Sequence, residues 1–162
     1  MPHPLHYDIR LASLNAHRWA VTLTIARPQA LQRVALPVWI PGSYLVREFA
    51  RHVSGLTARQ GRAVCPAQAV DKCTWQVQAA PGKPLVIRYE VYAFDDSVRA
   101  AWLDAARGFF NATALLLRVP ELADGPHAIT LHRPADPTAA HWRVATALMA
   151  QSVDADGFGS YL

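Results

Sequence analysis

Glutamates and histidines are the residues from which metal-dependent hydrolysis would have to be built in this chain of 162 residues. A zinc peptidase motif places His-Glu-x-x-His on one helix, so that two imidazoles hold the metal and the glutamate acts as general base. None of Glu48, Glu90 and Glu121 follows a histidine. His127 and His132 lie five positions apart on one predicted strand, which puts them on opposite faces. We therefore predict no catalytic residue and no metal ligand in this chain.

Serines and aspartates offer the other candidate chemistry. Ser43 in PGSYL and Ser160 in FGSYL each follow a glycine, but neither has the G-x-S-x-G pattern of a nucleophile elbow. Both are interpreted as turn residues. Asp95, Asp96 and Asp104 form a candidate carboxylate cluster, for which an acidic helix start is the simpler interpretation. A metal-independent hydrolase therefore ranks last among the functions considered.

The two cysteines, Cys65 and Cys73, lie eight residues apart around a predicted hairpin. This spacing permits a disulfide, but two thiols in a chain without signs of secretion are expected to be reduced and structural. The pairing stays open at the level of sequence.

The N-terminus lacks a basic region followed by an apolar one, and no apolar run approaches the ~20 residues of a membrane span. We expect a cytoplasmic protein without a membrane partner.

The net charge of +4 comes from 16 Lys and Arg against 12 Asp and Glu, spread along the chain. Proteins that bind nucleic acid more often carry a basic run or stripe. No nucleic-acid partner is expected.

Alternation of apolar and polar residues at period two dominates the chain and predicts strands that would position these side chains. It is clearest at residues 5–11, 19–25, 73–77 and 85–91. The connections are too short for crossover helices, which favours antiparallel pairing. The Ala-rich run DDSVRAAWLDAARGFF breaks the alternation, begins with candidate N-caps and meets Gly108 near its end. We predict an all-β fold, an antiparallel β-sandwich with one short helix or helical loop near residues 97–107, in a single domain spanning 1–162.

Three stretches, in order along the chain, carry a resemblance to a known family. They are LPVWIPGSYLVREFARHVSGLTA at 36–58, YEVYAFDDSVRAAWLDAARGFFNATALLL at 89–117 and HWRVATAL at 141–148. They resemble the N-terminal domain of the glycyl aminopeptidase family, zinc metallopeptidases of the thermolysin-like clan, and their order and spacing extend the resemblance over essentially the whole chain. In that family a β-rich N-terminal domain precedes the catalytic domain that bears the zinc motif. The resemblance implies that residues 1–162 are the N-terminal domain of a larger zinc aminopeptidase, whose catalytic domain on the same polypeptide holds the zinc and whose substrate is a peptide.

The first of these stretches contains a proline-stiffened elbow. Pro37 and Pro41 fix φ near −65° and remove two ladder donors, so a strand must end or bend there. Gly42 permits the tight turn that follows. Nothing near the elbow can activate a nucleophile, which favours a structural or interface role over catalysis. We assign that role, as a structural elbow or a domain interface, to Trp39, Pro41, Gly42, Tyr44 and Trp102.

The second stretch contains the candidates for a substrate cleft. In the related aminopeptidases a segment of the N-terminal domain helps to recognise the free amino terminus of the substrate. The resemblance then places Phe110, Asn111 and Thr113 at that cleft, where the side-chain oxygen of Asn111 would accept a hydrogen bond from an ammonium group. The alternative is that Asn111 starts a strand and bonds locally.

Two functions remain open from the sequence. The first is a non-catalytic domain that packs on the catalytic domain of a zinc aminopeptidase and helps to shape its substrate cleft. The alternative is a free-standing β-sandwich that binds a peptide or carbohydrate through exposed aromatic residues such as Trp39 or Trp102.

Overall fold

Strands make up most of the regular structure in the computed structural model, which describes residues 3–162. Within that range the strands are β1 (Leu5–Ser13), β2 (Arg18–Ile25), β3 (Leu31–Ala35), β4 (Val53–Gln60), β5 (Ala63–Cys65), β6 (Ala67–Ala69), β7 (Thr74–Gln78), β8 (Leu85–Tyr92), β9 (Ala101–Leu103), β10 (Gly108–Phe110), β11 (His127–Leu131), β12 (Ala150–Val153) and β13 (Gly159–Tyr161). The helical elements are the short α-helix α1 (Ala112–Leu115) and the 3₁₀ turns Phe49–His52, Pro120–Leu122 and Pro137–Ala139. Among the described residues, no helix has both the length and the apolar character needed to cross a bilayer.

The strands form three sheets. The largest has eight strands in the order β12-β13-β11-β1-β2-β8-β4-β5, a second has the order β3-β7-β6, and β9 with β10 forms a separate hairpin. The predicted all-β, sandwich-like fold is confirmed. One pair departs from the antiparallel expectation, since β1 and β11 are parallel. These two strands lie far apart in the chain, so no tight hairpin forces them to run in opposite directions.

The alternating pattern places one face of the large sheet in the core. Leu23 of β2 lies opposite Tyr7 of β1 and Ile87 of β8, and all three are buried. Because side chains alternate across a strand, the polar residues between them face outward. The apolar positions of neighbouring strands therefore stack into one continuous layer.

Two tyrosines on this buried face hold the segment that follows α1. The Tyr7 hydroxyl donates to the carbonyl of Leu117 at 2.8 Å. The Tyr89 hydroxyl donates to the carbonyl of Leu115 at 3.0 Å and accepts from the amide of Leu117 at 3.0 Å. These bonds satisfy buried backbone groups of Leu115 and Leu117, which lie outside the strands.

The single short helix of the fold does not lie near residues 97–107, where a short helix or helical loop was predicted. Residues 97–100 form a turn, and β9 and β10 then pair as a hairpin with Phe109 opposite Trp102. The Asp104 carboxylate, interpreted as part of an acidic helix start, accepts from the amides of Ala106 at 2.8 Å and Arg107 at 2.9 Å inside the hairpin loop. The alanines favour a helix locally, but the strand buries Ala101 and Leu103 against the core, and this packing outweighs the propensity. The short helix begins later, at α1.

The two cysteines form no disulfide in the structure. Cys65 is buried at the end of β5, where its thiol lies 3.8 Å from the side-chain oxygen of Gln60. Cys73 lies in the turn before β7, and its thiol is 3.4 Å from the carboxylate of Asp71.

Candidate functional site

A cleft of about 680 Å³ opens where the chain enters β4 and leaves β8. It is lined by residues 45–49, 51 and 52 from the segment before β4, by residues 92, 94–96 and 100–102 from the end of β8 through the start of β9, and by Ala114 of α1. The two segments are neighbours because β4 pairs with β8, with Val53 opposite Val91. The cleft therefore joins two parts of the chain that lie forty or more residues apart.

The elbow before β4 is a tight turn. The amide of Ser43 donates to the carbonyl of Ile40 at 3.1 Å, and Gly42 has a φ of +78°. Pro41 at the second position and a glycine with positive φ at the third are typical of a type II turn. The indole nitrogen of Trp39 donates to the carbonyl of Ser43 at 2.7 Å and braces the turn.

Ser43 is buried beneath this turn and organises the residues that follow it. Its hydroxyl donates to the carbonyl of Leu45 at 3.3 Å and lies 3.3 Å from the Nε of Arg47, which donates to it. The amide of Arg47 also donates to the carbonyl of Val38 at 2.7 Å, so both the backbone and the side chain of Arg47 are held. The interpretation of Ser43 as a turn residue agrees with these bonds.

The 3₁₀ turn Phe49–His52 brings a second arginine to the cleft. Phe49 and Ala50 are buried and anchor the turn, while Arg51 is exposed. The Nε of Arg51 donates to Nε2 of His52 at 3.1 Å. Partial burial lowers the pKa of His52, and the positive charge of Arg51 lowers it further against the opposing effect of Asp95. The lowered pKa favours the neutral imidazole, whose Nε2 accepts from Arg51 and orients it.

Aromatic rings form the part of the cleft contributed by β8 and β9. The rings of Phe94 and Trp102 stack, and His17 packs against Phe94 with a centroid distance of 4.0 Å. Tyr92 contacts His52 with a centroid distance of 6.0 Å. Tyr92 and Phe94 are 39% and 46% exposed, so the rim of the cleft presents apolar surface to solvent.

A turn between Phe94 and β9 carries two adjacent carboxylates, Asp95 and Asp96. Asp95 accepts from the amide of Ser97 at 2.9 Å, and the amide of Asp95 donates to the carbonyl of Ala101 at 3.0 Å. Side chains of both aspartates are exposed and line the cleft. Their interpretation as an acidic helix start is wrong, because no helix follows them.

The residues predicted at a substrate cleft lie beside it and not in its lining. The Asn111 side-chain oxygen accepts from the amide of Thr113 at 3.1 Å and from its hydroxyl at 2.6 Å, so it caps α1. The amide of Asn111 donates to the carbonyl of Ala100, which ties α1 to the cleft. Local bonding was the alternative considered for Asn111, although it starts a helix rather than a strand.

Phe110 lies at a second, mainly apolar cavity of about 210 Å³. Its ring contacts Trp19 edge to face with a centroid distance of 5.6 Å. Trp142 and Gly108 also line this cavity. Phe110 therefore faces a different cavity from the cleft beside Asn111 and Thr113, although the three residues are close in sequence.

The elbow residues split between the cleft and an exposed surface. Trp102 lines the cleft. Trp39 is 56% exposed and Tyr44 is fully exposed, and neither contributes to the cleft lining. With neighbouring exposed apolar residues they form a patch that we call the interface patch, after the role predicted for the elbow; it consists of Val38, Trp39, Tyr44, Leu45 and Val46.

Sequence reasoning missed the cleft itself and the roles of Arg51, His52, Tyr92 and Phe94 in lining it. The available signal was that two of the three family-like stretches contain these residues. Their convergence depends on the pairing of β4 with β8, which no local pattern reveals.

Metal ligands are not grouped in the described part of the chain. Among residues 3–162, no three His, Cys, Asp or Glu side chains are arranged to hold a metal ion. A zinc ion needs three or four such donors around one point, so these residues do not fit a zinc site.

Comparison with known proteins gives one family and a small set of solved structures. The model of the Peptidase M61 N-terminal domain matches residues 6–162. The crystal structure of an aminopeptidase N family protein from Idiomarina loihiensis is 39% identical with a TM-score of 0.91, over 97% of this chain and 26% of that chain. Two structures of an M1 zinc metallopeptidase from Deinococcus radiodurans, one bound to a Tyr-Ser-Ala substrate, are 10% identical with a TM-score of 0.49, over 97% of this chain and 37% of those chains. No curated protein matches the chain.

Proposed function

The chain belongs to the family of peptidase M61 N-terminal domains, and from that premise we propose that it packs on the catalytic domain of a zinc aminopeptidase and helps to shape its substrate cleft. The family resemblance inferred from residues 36–58, 89–117 and 141–148 is confirmed. This chain covers about a quarter of the Idiomarina protein, so activity, zinc and peptide substrate belong in this proposal to the polypeptide as a whole.

The observation that supports the proposal best is the cleft. Its lining comes from two of the stretches that carry the family resemblance, and it combines Arg47, Arg51, Asp95 and Asp96 with exposed aromatic edges. Concave sites with a few convergent polar groups on an apolar wall are where proteins usually bind small ligands. A peptide offers both charged ends and apolar side chains to such a site.

The interface patch supports docking on a second domain. Val46 is 75% exposed and Tyr44 is fully exposed, next to Val38, Trp39 and Leu45. Contiguous exposed apolar surface commonly marks a protein interface. The turn that carries the patch is braced by hydrogen bonds, so docking would order few additional side chains. Leu45 and Val46 belong to both the patch and the cleft lining, so a domain docked there would border the cleft.

The predicted roles of Asn111, Thr113 and Phe110 in substrate recognition stay predictions. Both hydrogen bonds of the Asn111 side-chain oxygen are internal to the helix cap. In this proposal Asn111 and Thr113 act indirectly, because they set the start of α1 and thereby the position of Ala114 in the cleft.

The alternative, a free-standing module for peptide or carbohydrate, has the exposed Trp39 in its favour. That ring already donates its indole N–H to Ser43. Trp102, the other candidate platform, is stacked on Phe94. We rank this function second because the Trp102 ring is stacked on Phe94 and the Trp39 indole N–H is engaged at Ser43.

The first test compares this chain with the polypeptide extended through the coding sequence that follows residue 162. Bound zinc and hydrolysis of glycyl and alanyl anilides are measured for both. We expect about one zinc per chain, and activity, in the extended polypeptide alone. A stop codon directly after Leu162, or hydrolysis by the short chain without metal, would contradict the proposal.

The second test addresses the interface patch within the extended polypeptide. Val46→Asp places a charge in the patch and is expected to lower activity and raise protease sensitivity between the domains, because a buried unpaired charge is costly. Val64→Asp is the matched control, since Val64 is 68% exposed on β5 and outside the patch. Equal activity of the two variants would argue against docking at the patch.

A further inference from the structure

We propose that the cleft binds a short zwitterionic peptide, with its free α-ammonium group toward Asp95 and Asp96 and its free α-carboxylate toward Arg47 and Arg51. This inference rests on the proposed function, because it names the substrate class of the same cleft. It follows from how the charges of the cleft are distributed and which of them are already engaged.

The cationic side chains all come from the segment before β4. Neither Arg47 nor Arg51 forms an ion pair with a carboxylate among residues 3–162. In each case a neighbour within the same segment accepts the Nε–H: the Ser43 hydroxyl for Arg47 and the His52 imidazole for Arg51. Both guanidinium groups are thus oriented through Nε, while their terminal nitrogens remain for a ligand. A planar guanidinium is well suited to bind a carboxylate with two parallel hydrogen bonds.

The carboxylates that remain for a ligand come from the segment after β8. Glu48 also lines the cleft, but it lies 3.3 Å from the ammonium group of Lys72 and is engaged there. Asp95 is held by the amide of Ser97, and Asp96 forms no ion pair among the described residues. Two adjacent carboxylates attract an ammonium group and repel a second carboxylate. The cleft therefore carries its uncompensated positive and negative charge on different segments.

The size of the cleft selects a short ligand. A volume of about 680 Å³ lies within the usual range for small-molecule sites, roughly 300–1,000 Å³. A residue of extended chain spans roughly 3.3–3.6 Å, so a peptide of two or three residues keeps both charged ends close together. The exposed edges of Tyr92 and Phe94 provide apolar contact for a side chain of the ligand.

Binding of three matched probes tests the inference on this chain. The probes are Ala-Phe, N-acetyl-Ala-Phe, which lacks the ammonium group, and Ala-Phe-amide, which lacks the carboxylate. Affinity is measured by NMR titration, with the indole signal of Trp102 as a reporter inside the cleft. We expect Ala-Phe to bind at least about tenfold more tightly than either blocked peptide, because each blocked peptide loses one charge-assisted hydrogen bond.

Variants assign each end of the peptide to its side chains. Arg51→Gln is expected to lower the affinity for Ala-Phe to that for Ala-Phe-amide, and to leave the affinity for Ala-Phe-amide unchanged. Asp96→Asn is expected to lower the affinity for Ala-Phe to that for N-acetyl-Ala-Phe, and to leave the affinity for N-acetyl-Ala-Phe unchanged. Arg107→Gln is the matched control, because Arg107 is exposed in the β9–β10 loop outside the cleft lining, and all three affinities should be retained.

Each other result would overturn the inference. Equal binding of the three probes, or no binding of any, contradicts a zwitterion site. Dependence on the ammonium group alone shows a site for the amino terminus only, which leaves the proposed function intact. Binding of free alanine as tight as that of Ala-Phe would show an amino-acid site instead of a peptide site. Failure of the proposed function appears separately, as the absence of zinc and activity in the extended polypeptide.

Discussion

The rings of Phe94 and Trp102 stack with a centroid distance of 4.2 Å and an angle of 19° between their planes. Phe94 follows β8 and Trp102 lies in β9, so this contact joins the turn that carries Asp95 and Asp96 to the hairpin. The stack therefore keeps the aromatic part of the cleft in place.

Phe94→Leu is expected to lower the free energy of unfolding by about 1 kcal/mol, because an aromatic pair contributes roughly 0.5–1.5 kcal/mol beyond the area it buries. Urea unfolding of this chain measures the change. Tyr44→Leu is the matched control, since Tyr44 is an exposed aromatic residue without a ring partner in the described part of the chain, and it should change stability little. Equal effects of the two substitutions would show that the stack does not stabilise the turn.

The Tyr89 hydroxyl should matter more than that of Tyr7. Tyr89→Phe leaves both the Leu117 amide and the Leu115 carbonyl without the partner they have now, and we expect a loss of about 1–3 kcal/mol. Tyr7→Phe removes one hydrogen bond, to the Leu117 carbonyl, and about 1 kcal/mol is expected. Urea unfolding at pH 7 compares the two variants. A larger loss for Tyr7→Phe would contradict the assignment of Tyr89 as the central clamp.

Stability should fall in alkaline solution because of the same two tyrosines. Burial raises the pKa of Tyr7 to about 12 and that of Tyr89 further, whereas an unfolded tyrosine has a pKa near 10. Above about pH 10 the unfolded chain therefore loses protons that the folded chain retains, so the unfolding free energy decreases as pH rises. Below pH 10 both states are protonated and this contribution is fully present.

The slope of that decrease is expected to reach about 1.4 kcal/mol per pH unit for each tyrosine. Urea midpoints between pH 9 and pH 12 measure it, with tyrosinate absorbance to follow ionisation. The double variant Tyr7→Phe, Tyr89→Phe should show a flatter profile. An unchanged slope in that variant would assign the alkaline sensitivity to other groups.

Gly108 lies where no side chain fits. A Cβ at this position would be 2.6 Å from Cζ2 of Trp19 and 3.0 Å from Cζ3 of Trp142. Gly108→Ala is therefore expected to cost about 1–3 kcal/mol, because the Trp19 ring must shift to make room for the methyl group. Gly125→Ala is the control, because its nearest atom would be 3.4 Å away. Thermal unfolding of the two variants should separate them, and equal midpoints would refute the crowding argument.

Much of the fold could be predicted from the sequence because period-two alternation is a local property. Leu23 and Ile25 of β2 are buried as their phase indicates, and so are Ile87 and Tyr89 of β8. The family resemblance was also visible in the sequence, because it is carried by short contiguous stretches such as PGSYLVREF. Pro41 and Gly42 likewise predict a turn, because the backbone preferences of proline and glycine are intrinsic to these residues.

The tertiary structure decided the hairpin and the cleft. Residues 97–107 have helical propensity, but burial of Ala101 and Leu103 in the core selected strands, and propensity is too weak to oppose such packing. The cleft exists because β4 pairs with β8, which brings Arg51 and Asp95 to one place although they are more than forty residues apart. The pattern of residues along the chain does not specify which strands become neighbours in a sheet. Pairing depends on how all apolar faces are buried together, and so the sequence alone determined the strands and the family while the packed chain determined the site.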